Sequence, residues 1–331
     1  MRKKSHQLQW LQVLNQRYFL TEEERETYQK LQRGYEGEKR LDQMVDEFLA
    51  PEIKSLDDLT LQYKNSVVQI DKILIVGQTI CLMDMKYYQG DYVFKNNTWY
   101  IGKKILTNNI FEQIRRAARV LQNILNDNQI EMTVYGVLAF MNPNATINIV
   151  DETYETVLMF DEIPGWLLKL TDNDKSEKQS VQSVIQCYEI EPYRTTRTFD
   201  IEKIDQLRKG ICCANCHHYH MTEHKYKISC TCGYSEAKLI AYSRTICEFG
   251  VLFHNQNLKF PELRKFFGEN VNERFLKANL QQNFVLQKSP HSKAGYLNKG
   301  LLFDYWFEDE KKISKNTKRK IGKVINRTNL C

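Results

Sequence analysis

The chain has 331 residues, nine cysteines and a formal net charge of +6. Hydrophobic residues make up 42% and charged residues 27%, a globular composition that argues against wholesale disorder. No apolar run reaches the ~18 residues of a membrane helix, so no membrane span is expected. The length implies two or three folded units. The charge is uneven: eight of the 47 basic residues and none of the 41 acidic ones lie in 311–331, which leaves −2 over 1–310. That tail reads either as a solvated end or as an arm that binds phosphate without reading sequence. An odd number of cysteines, several close together, suits a reducing compartment and metal binding better than a disulfide framework. After Met1-Arg2-Lys3-Lys4, residues Gln7, Gln9, Gln12 and Asn15 interrupt any signal-peptide core, so a cytoplasmic location is expected.

In chain order, the first 50 residues read as helical. Thr21 before Glu22, Glu23 and Glu24 makes a helix start, with an N-cap hydroxyl and acids in the first turn. A second helix is expected after Gly34 and Gly37, with Leu41, Met44, Val45, Phe48 and Leu49 as its apolar stripe and Pro51 limiting its end. Residues 67–76 and 79–88, rich in Val, Ile and Leu, read as strands. Residues 110–126 form an amphipathic helix with Ile110, Ile114, Ala117, Ala118, Leu121, Ile124 and Leu125 on one side. Two further strands are expected at 133–141 and 146–150. The polar stretch 171–180 reads as a linker.

The segment Val67–Lys86 concentrates the chemistry. Gly77-Gln78 suits a two-residue type II′ turn, which would pair residues whose numbers sum to 155. Asp71 then lies opposite Asp84, Ile73 opposite Leu82, and Asp84 and Lys86 share a face because side chains alternate along a strand. Like charges directly opposed are destabilising, so the pair calls for a cation such as Mg2+. Glu38 stands three residues before Leu41 and seven before Val45, which puts it on the inward side of its helix. Glu38 at a helix start, or the two aspartates as solvated strand ends, are the plainer alternatives; an inward acid and an apolar strand weigh against them.

The run Gly34-Tyr35-Glu36-Gly37-Glu38, then Gln69-Ile70-Asp71, then Met83-Asp84-Met85-Lys86, then Gln113 on a basic helix, resembles the NERD (nuclease-related domain) family of the PD-(D/E)xK nuclease superfamily. The resemblance covers about residues 15–150. It implies an α/β fold with a restriction-endonuclease-like mixed sheet flanked by helices. It also implies that Glu38, Asp71, Asp84, Lys86 and Gln113 are site residues. Position 84 holds Asp where the family usually has Glu, and Ile70 stands where a Pro can precede the first strand acid. The implied activity is metal-dependent phosphodiester hydrolysis: Asp71 and Asp84, with Glu38 direct or through water, hold Mg2+ or Mn2+; Lys86 orients water or neutralises charge; Gln113 and Arg116 position the strand. For Gln113 and Arg116 an exposed polar helix edge is the open alternative.

Cys213-x2-Cys216 and, after thirteen intervening residues, Cys230-x-Cys232 followed by Gly233 form a pattern for tetrahedral Zn2+, with Cys212, His217, His218 and His220 as substitute ligands. Beyond it, Phe260–Gly268 reads as a short helix ended by Gly, and 271–280 as another capped by Asn270. Residues 284–301 read as a hairpin. A plain helical subdomain is preferred there to a winged helix. The expected divisions are 1–33 (N-terminal helical segment), 34–165 (nuclease-related domain), 166–205 (helical and polar linker), 206–240 (zinc ribbon), 241–310 (mostly helical) and 311–331 (basic tail). The expected partner is nucleic acid, DNA ahead of RNA. The rival expectations are a non-catalytic nucleic-acid binder and a zinc-stapled protein scaffold.

Overall fold

The computed structural model describes residues 2–107, 109–170, 178–191, 195–287, 295–298 and 300. The chain divides into two compact units, one formed by Met1–Arg2 and Lys30–Tyr193, the other by Lys3–Gln29 and the described residues from 195 onward. The division between Gln29 and Lys30 falls inside a helix.

Two helices open the chain, α1 (His6–Arg17) and α2 (Glu22–Phe48). The start of α2 is a capping box: Thr21 Oγ1 accepts from the Glu24 N–H at 3.2 Å and Glu24 Oε2 accepts from the Thr21 N–H at 3.0 Å. One helix runs through Gly34 and Gly37, where the sequence had suggested two. The reason lies in packing: a Cβ at position 37 would sit 3.0 Å from Tyr87 Cδ2 and 3.2 Å from Met85 Sδ. Gly37 therefore allows the helix to lie close against the sheet instead of ending it.

In the first unit, β1 (Lys54–Tyr63), β2 (Ser66–Val76), β3 (Thr79–Lys86), β4 (Asp91–Lys95), β5 (Thr98–Ile101) and β6 (Lys104–Ile105) precede α3 (Ile110–Asp127). After it come β7 (Thr133–Phe140), β8 (Thr146–Ile149), β9 (Thr156–Leu158), α4 (Ile163–Lys169) and α5 (Lys178–Gln186). The main sheet has the order β1-β2-β3-β7-β9. Its first three strands are antiparallel, and β7 and β9 join in parallel. A second sheet, β6-β5-β4-β8, carries the aromatic residues Phe94 and Trp99, which pack with Phe111 of α3. One face of the main sheet (Ile73, Ile75, Ile80, Leu82) packs on Ile114, Leu121 and Ile124 of α3 and on Val181 and Ile185 of α5. The other face (Leu74, Cys81, Met83, Met85) packs on Leu41 and Val45 of α2 and on Ile163 and Leu167 of α4. Alternate residues of β2 and β3 thus go to opposite layers, and strands covered on both faces read as continuous apolar runs. The stretch expected as a linker is different: 171–177 lies outside the described residues, while α5 lies in the core.

The second unit contains α1, a 3-10 helix at Ile201–Gln206, and a three-stranded sheet of β10 (Met221–Glu223), β11 (Lys227–Cys230) and β12 (Ser235–Ala237). These are followed by α6 (Lys238–Leu252), α7 (Phe260–Phe267), α8 (Glu273–Asn283), β13 (Leu286–Gln287) and β14 (Gly295–Tyr296). Helix α6 is buried over almost its whole length, so it shows no apolar stripe and the sequence offered no periodic signal for it. Its buried Glu248 joins Arg17 of α1 to Arg244, and Arg244 pairs in turn with Glu236. Helix α7 ends at Gly268 (φ +83°) as expected. Helix α8 is capped by Asn272, whose side chain accepts from the Phe275 N–H, and not by Asn270. The expected hairpin survives as the short β13–β14 pair; 288–294, 299 and 301 lie outside the described residues, as does the basic tail 311–331. The whole is a mixed α/β protein with mixed sheets flanked by helices, a cysteine cluster and a helical C-terminal region, the class expected. Among the described residues, no helix is long and apolar enough to cross a membrane.

Candidate active site and cysteine cluster

The turn between β2 and β3 sets the geometry. Gly77 has φ +55°, and pairing runs from Val76↔Thr79 to Lys72↔Met83, the expected register. One step outward are Asp71 and Asp84. The charge of Asp84 bears on the Asp71 carboxyl, and Asp71 Oδ2 accepts from the Met85 backbone N–H at 2.8 Å. Lys86 Nζ donates to Asp84 Oδ1 at 2.9 Å and lies 2.7 Å from Oδ2. It also reaches Gln113 Oε1 at 3.4 Å, which brings the exposed helix residue to the same corner. Arg116 instead donates to the Val67 carbonyl at 3.3 Å, fixing the edge of α3 to β2.

The electrostatics follow from two acids sharing little water. Burial raises the Asp71 carboxyl above the usual range and the charge of Asp84 raises it further, against the Met85 N–H and the Lys86 charge. Burial likewise raises Asp84, with Lys86 opposing. Asp84 Oδ2 is buried, with the Lys86 ammonium 2.7 Å away but out of hydrogen-bond direction, so two like charges share little water here.

Glu38 is on the inward side of α2, as its spacing implied. It is partly buried, and its carboxyl is pushed up to about 7 by burial and by Asp71, while Arg2 pulls the other way. Three residues here escaped the sequence reading. Arg2 Nη1 donates to Glu38 Oε2 at 3.2 Å, and Arg2 Nε and Nη2 donate to the two oxygens of Asp42 at 3.0 and 3.1 Å. Lys72 Nζ, buried under the sheet, lies 3.0 Å from Asp42 Oδ1 and also contacts Asp57. Although burial opposes it, Arg2 and Lys72 hold Asp42 below the ordinary carboxylate range. A signal existed for Lys72, the one basic residue in an apolar strand, and for Asp42, one turn after Glu38 on the same helix face. None existed for Arg2.

In the second unit, Cys213 and Cys216 precede β10, Cys230 ends β11, and Cys232 follows in the turn before Gly233. The Cys213–Cys232 and Cys216–Cys230 Sγ separations are 3.8 and 3.5 Å. Four thiolates at ~2.3 Å from one Zn2+ would be ~3.8 Å apart. Among the described residues this quartet is the one set of three or more His, Cys, Asp or Glu side chains whose ligand atoms all lie within 4.8 Å of one another; the acids of the first unit do not close that far. The tightness splits the thiols. Cys232 falls to about 6, favoured by the Tyr234 backbone N–H and the Asn215 side chain. Cys216 is helped by the His218 backbone N–H, yet burial and its three neighbours drive it up to about 12. Cys212 is buried and turned to the Cys213 carbonyl, and the histidines are not needed to complete the set. The quartet is consistent with a zinc ribbon.

Residues 33–141 match the family model NERD, the nuclease-related domain. That third of the chain holds the two strands, α3 and the acid of α2, and it carries a nuclease-related function. No curated protein and no solved structure matches the chain.

Proposed function

We propose that the first unit is a divalent-metal-dependent nuclease that hydrolyses phosphodiester bonds, in DNA ahead of RNA. The carrying observation is that Asp71 and Asp84 stand one step beyond the last β2–β3 pair, Lys72↔Met83, where the charge of Asp84 bears on Asp71, with the Lys86 ammonium 2.7 Å from Asp84 Oδ2. Hard carboxylate oxygens on two buried acids whose charged forms are disfavoured by burial suit a hard cation. Asp71 and Asp84 would hold Mg2+ or Mn2+, with Glu38 direct or through water. Such an ion, when bound, supplies positive charge to a phosphoryl oxygen and acidifies a water. Lys86 orients that water or meets developing negative charge. Gln113, tied to Lys86, faces the same corner and positions the strand. In the second unit, Cys213, Cys216, Cys230 and Cys232 hold a structural Zn2+, and the tail 311–331 supplies sequence-independent phosphate contacts.

A second reading, a nucleic-acid binder without turnover, is favoured by one observation: Glu38 is engaged by Arg2 and the three acids are not gathered within ligand distance of a common point. Labelled single- and double-stranded DNA and RNA, incubated with purified protein in Mg2+, in Mn2+ and in chelator, separate the readings. Metal-dependent cleavage of DNA is expected. Retained binding with no cleavage under any metal would favour the second.

A further inference from the structure

Arg2 stands where the helix bearing Glu38 meets the strand bearing Asp71. Its side chain is 1% exposed. All its nitrogens are engaged: Nη1 with Glu38 Oε2 at 3.2 Å, Nε and Nη2 with Asp42 at 3.0 and 3.1 Å, and Nη2 again with the Asp71 carbonyl at 2.9 Å. The Tyr35 hydroxyl donates to the Arg2 carbonyl at 3.2 Å and so anchors its backbone to α2. Lys72 on β2, 3.0 Å from Asp42 Oδ1, fixes the far end of the chain of charges.

We infer that Arg2 is a positioning residue of the carboxylate site: its guanidinium sets the distance between α2 and β2 and presents Glu38 to the metal through one oxygen only. The inference rests on the nuclease reading above, because it needs a metal at those acids. The geometry argues for presentation over simple neutralisation. Arg2 takes Oε2, and no other hydrogen bond to the Glu38 carboxylate forms among the described residues, so Oε1 stays available to a metal or its water. A planar fork with fixed donor directions can hold Asp42 bidentately while reaching Glu38 and a backbone carbonyl. A lysine carries the same charge without the fork. Partners of this kind, one contact removed from a metal, typically govern affinity or activity by 10- to 100-fold.

The test is Mn2+ binding by calorimetry, on the full chain, for wild type, Arg2→Lys and Arg2→Met, at a temperature where circular dichroism finds each folded. The Mn2+ dissociation constant is expected to rise about tenfold or more in Arg2→Met, and several-fold in Arg2→Lys. The Mn2+ concentration at half-maximal cleavage should move by the same factors, with turnover recovering at saturating Mn2+. A purely structural Arg2 would lower the melting temperature and leave both metal constants where they were; that result overturns the inference. If Arg2→Met does not fold, Arg2→Lys decides alone, and an unchanged constant overturns it. Wild-type protein that binds no Mn2+ at all overturns the nuclease reading and this inference together, whereas equal binding by wild type and Arg2→Lys overturns this inference only.

Discussion

The two candidate metal sites are built on opposite principles. In the first unit, three of the four acids have a cation of their own chain beside them, Lys86 at Asp84, Arg2 at Glu38, and Arg2 with Lys72 at Asp42, while Asp71 is met by the Met85 backbone N–H. In the second, four thiols come within 4.8 Å of one another and are met by backbone N–H groups and Asn215, not by an ammonium or a guanidinium. A carboxylate site with resident cations can fold before it binds any metal. A thiolate site of this kind depends on the ion for its fold, because the thiols ionise together only around one.

Each half of that contrast can be broken. The largest effect is expected at the quartet: replacing Cys213 and Cys216 together by Ala should remove about one Zn2+ per chain and with it much of the folding free energy of the ribbon, on the order of 10 kcal/mol by comparison with small zinc-dependent units. Metal analysis with circular dichroism checks this. Full occupancy in the double variant would mean that Cys212 and the histidines are the ligands. A smaller effect is expected at Lys72→Met, which leaves Asp42 and Asp57 without their buried ammonium and should cost about 3 kcal/mol in urea unfolding, the lower end for a broken buried pair because Asp57 is half exposed. No loss there would mean that Arg2 alone balances Asp42.

The smallest effect is a pH dependence. Glu38 titrates at about 7 in the folded chain against an ordinary value of 4.5, so the folded state holds this proton more tightly than the unfolded one. Its contribution therefore falls as pH rises from about 4.5 to about 7, by at most ~3 kcal/mol and less for a carboxyl that keeps some solvent. Metal-free Glu38→Gln should lack that slope, so the stability difference between wild type and variant should change across this window in thermal melts and be flat above pH 8. Parallel curves would show that Glu38 is not perturbed.

What the sequence made legible was local and periodic. The Gly77-Gln78 turn and the alternation along β2 and β3 implied a register that the structure follows as far as Lys72↔Met83, one step short of Asp71 and Asp84, and the spacing from Leu41 turned Glu38 inward. The cysteine spacing named the quartet. Other features had no periodic signature. Helix α6 is buried on all sides, its charged Arg244 and Glu248 included, so it has no stripe to read. Helix α2 passes through two glycines because close packing on Met85 and Tyr87 outweighs their low helix propensity. Arg2 meets Glu38 and Asp71 across 36 and 69 residues of chain, a juxtaposition only the folded structure supplies.

The most direct test of the proposed nuclease activity is a time course of supercoiled plasmid with Mg2+, comparing wild type and Asp84→Ala purified identically, beside a binding isotherm for each. Wild type should convert the plasmid. Asp84→Ala should be slower by roughly a thousandfold or more, as expected when several kcal/mol of metal charge stabilisation are lost, while binding nucleic acid as well or better, because one of two repelling carboxylates is gone. Equal cleavage by the two proteins would contradict the assignment and place the activity elsewhere.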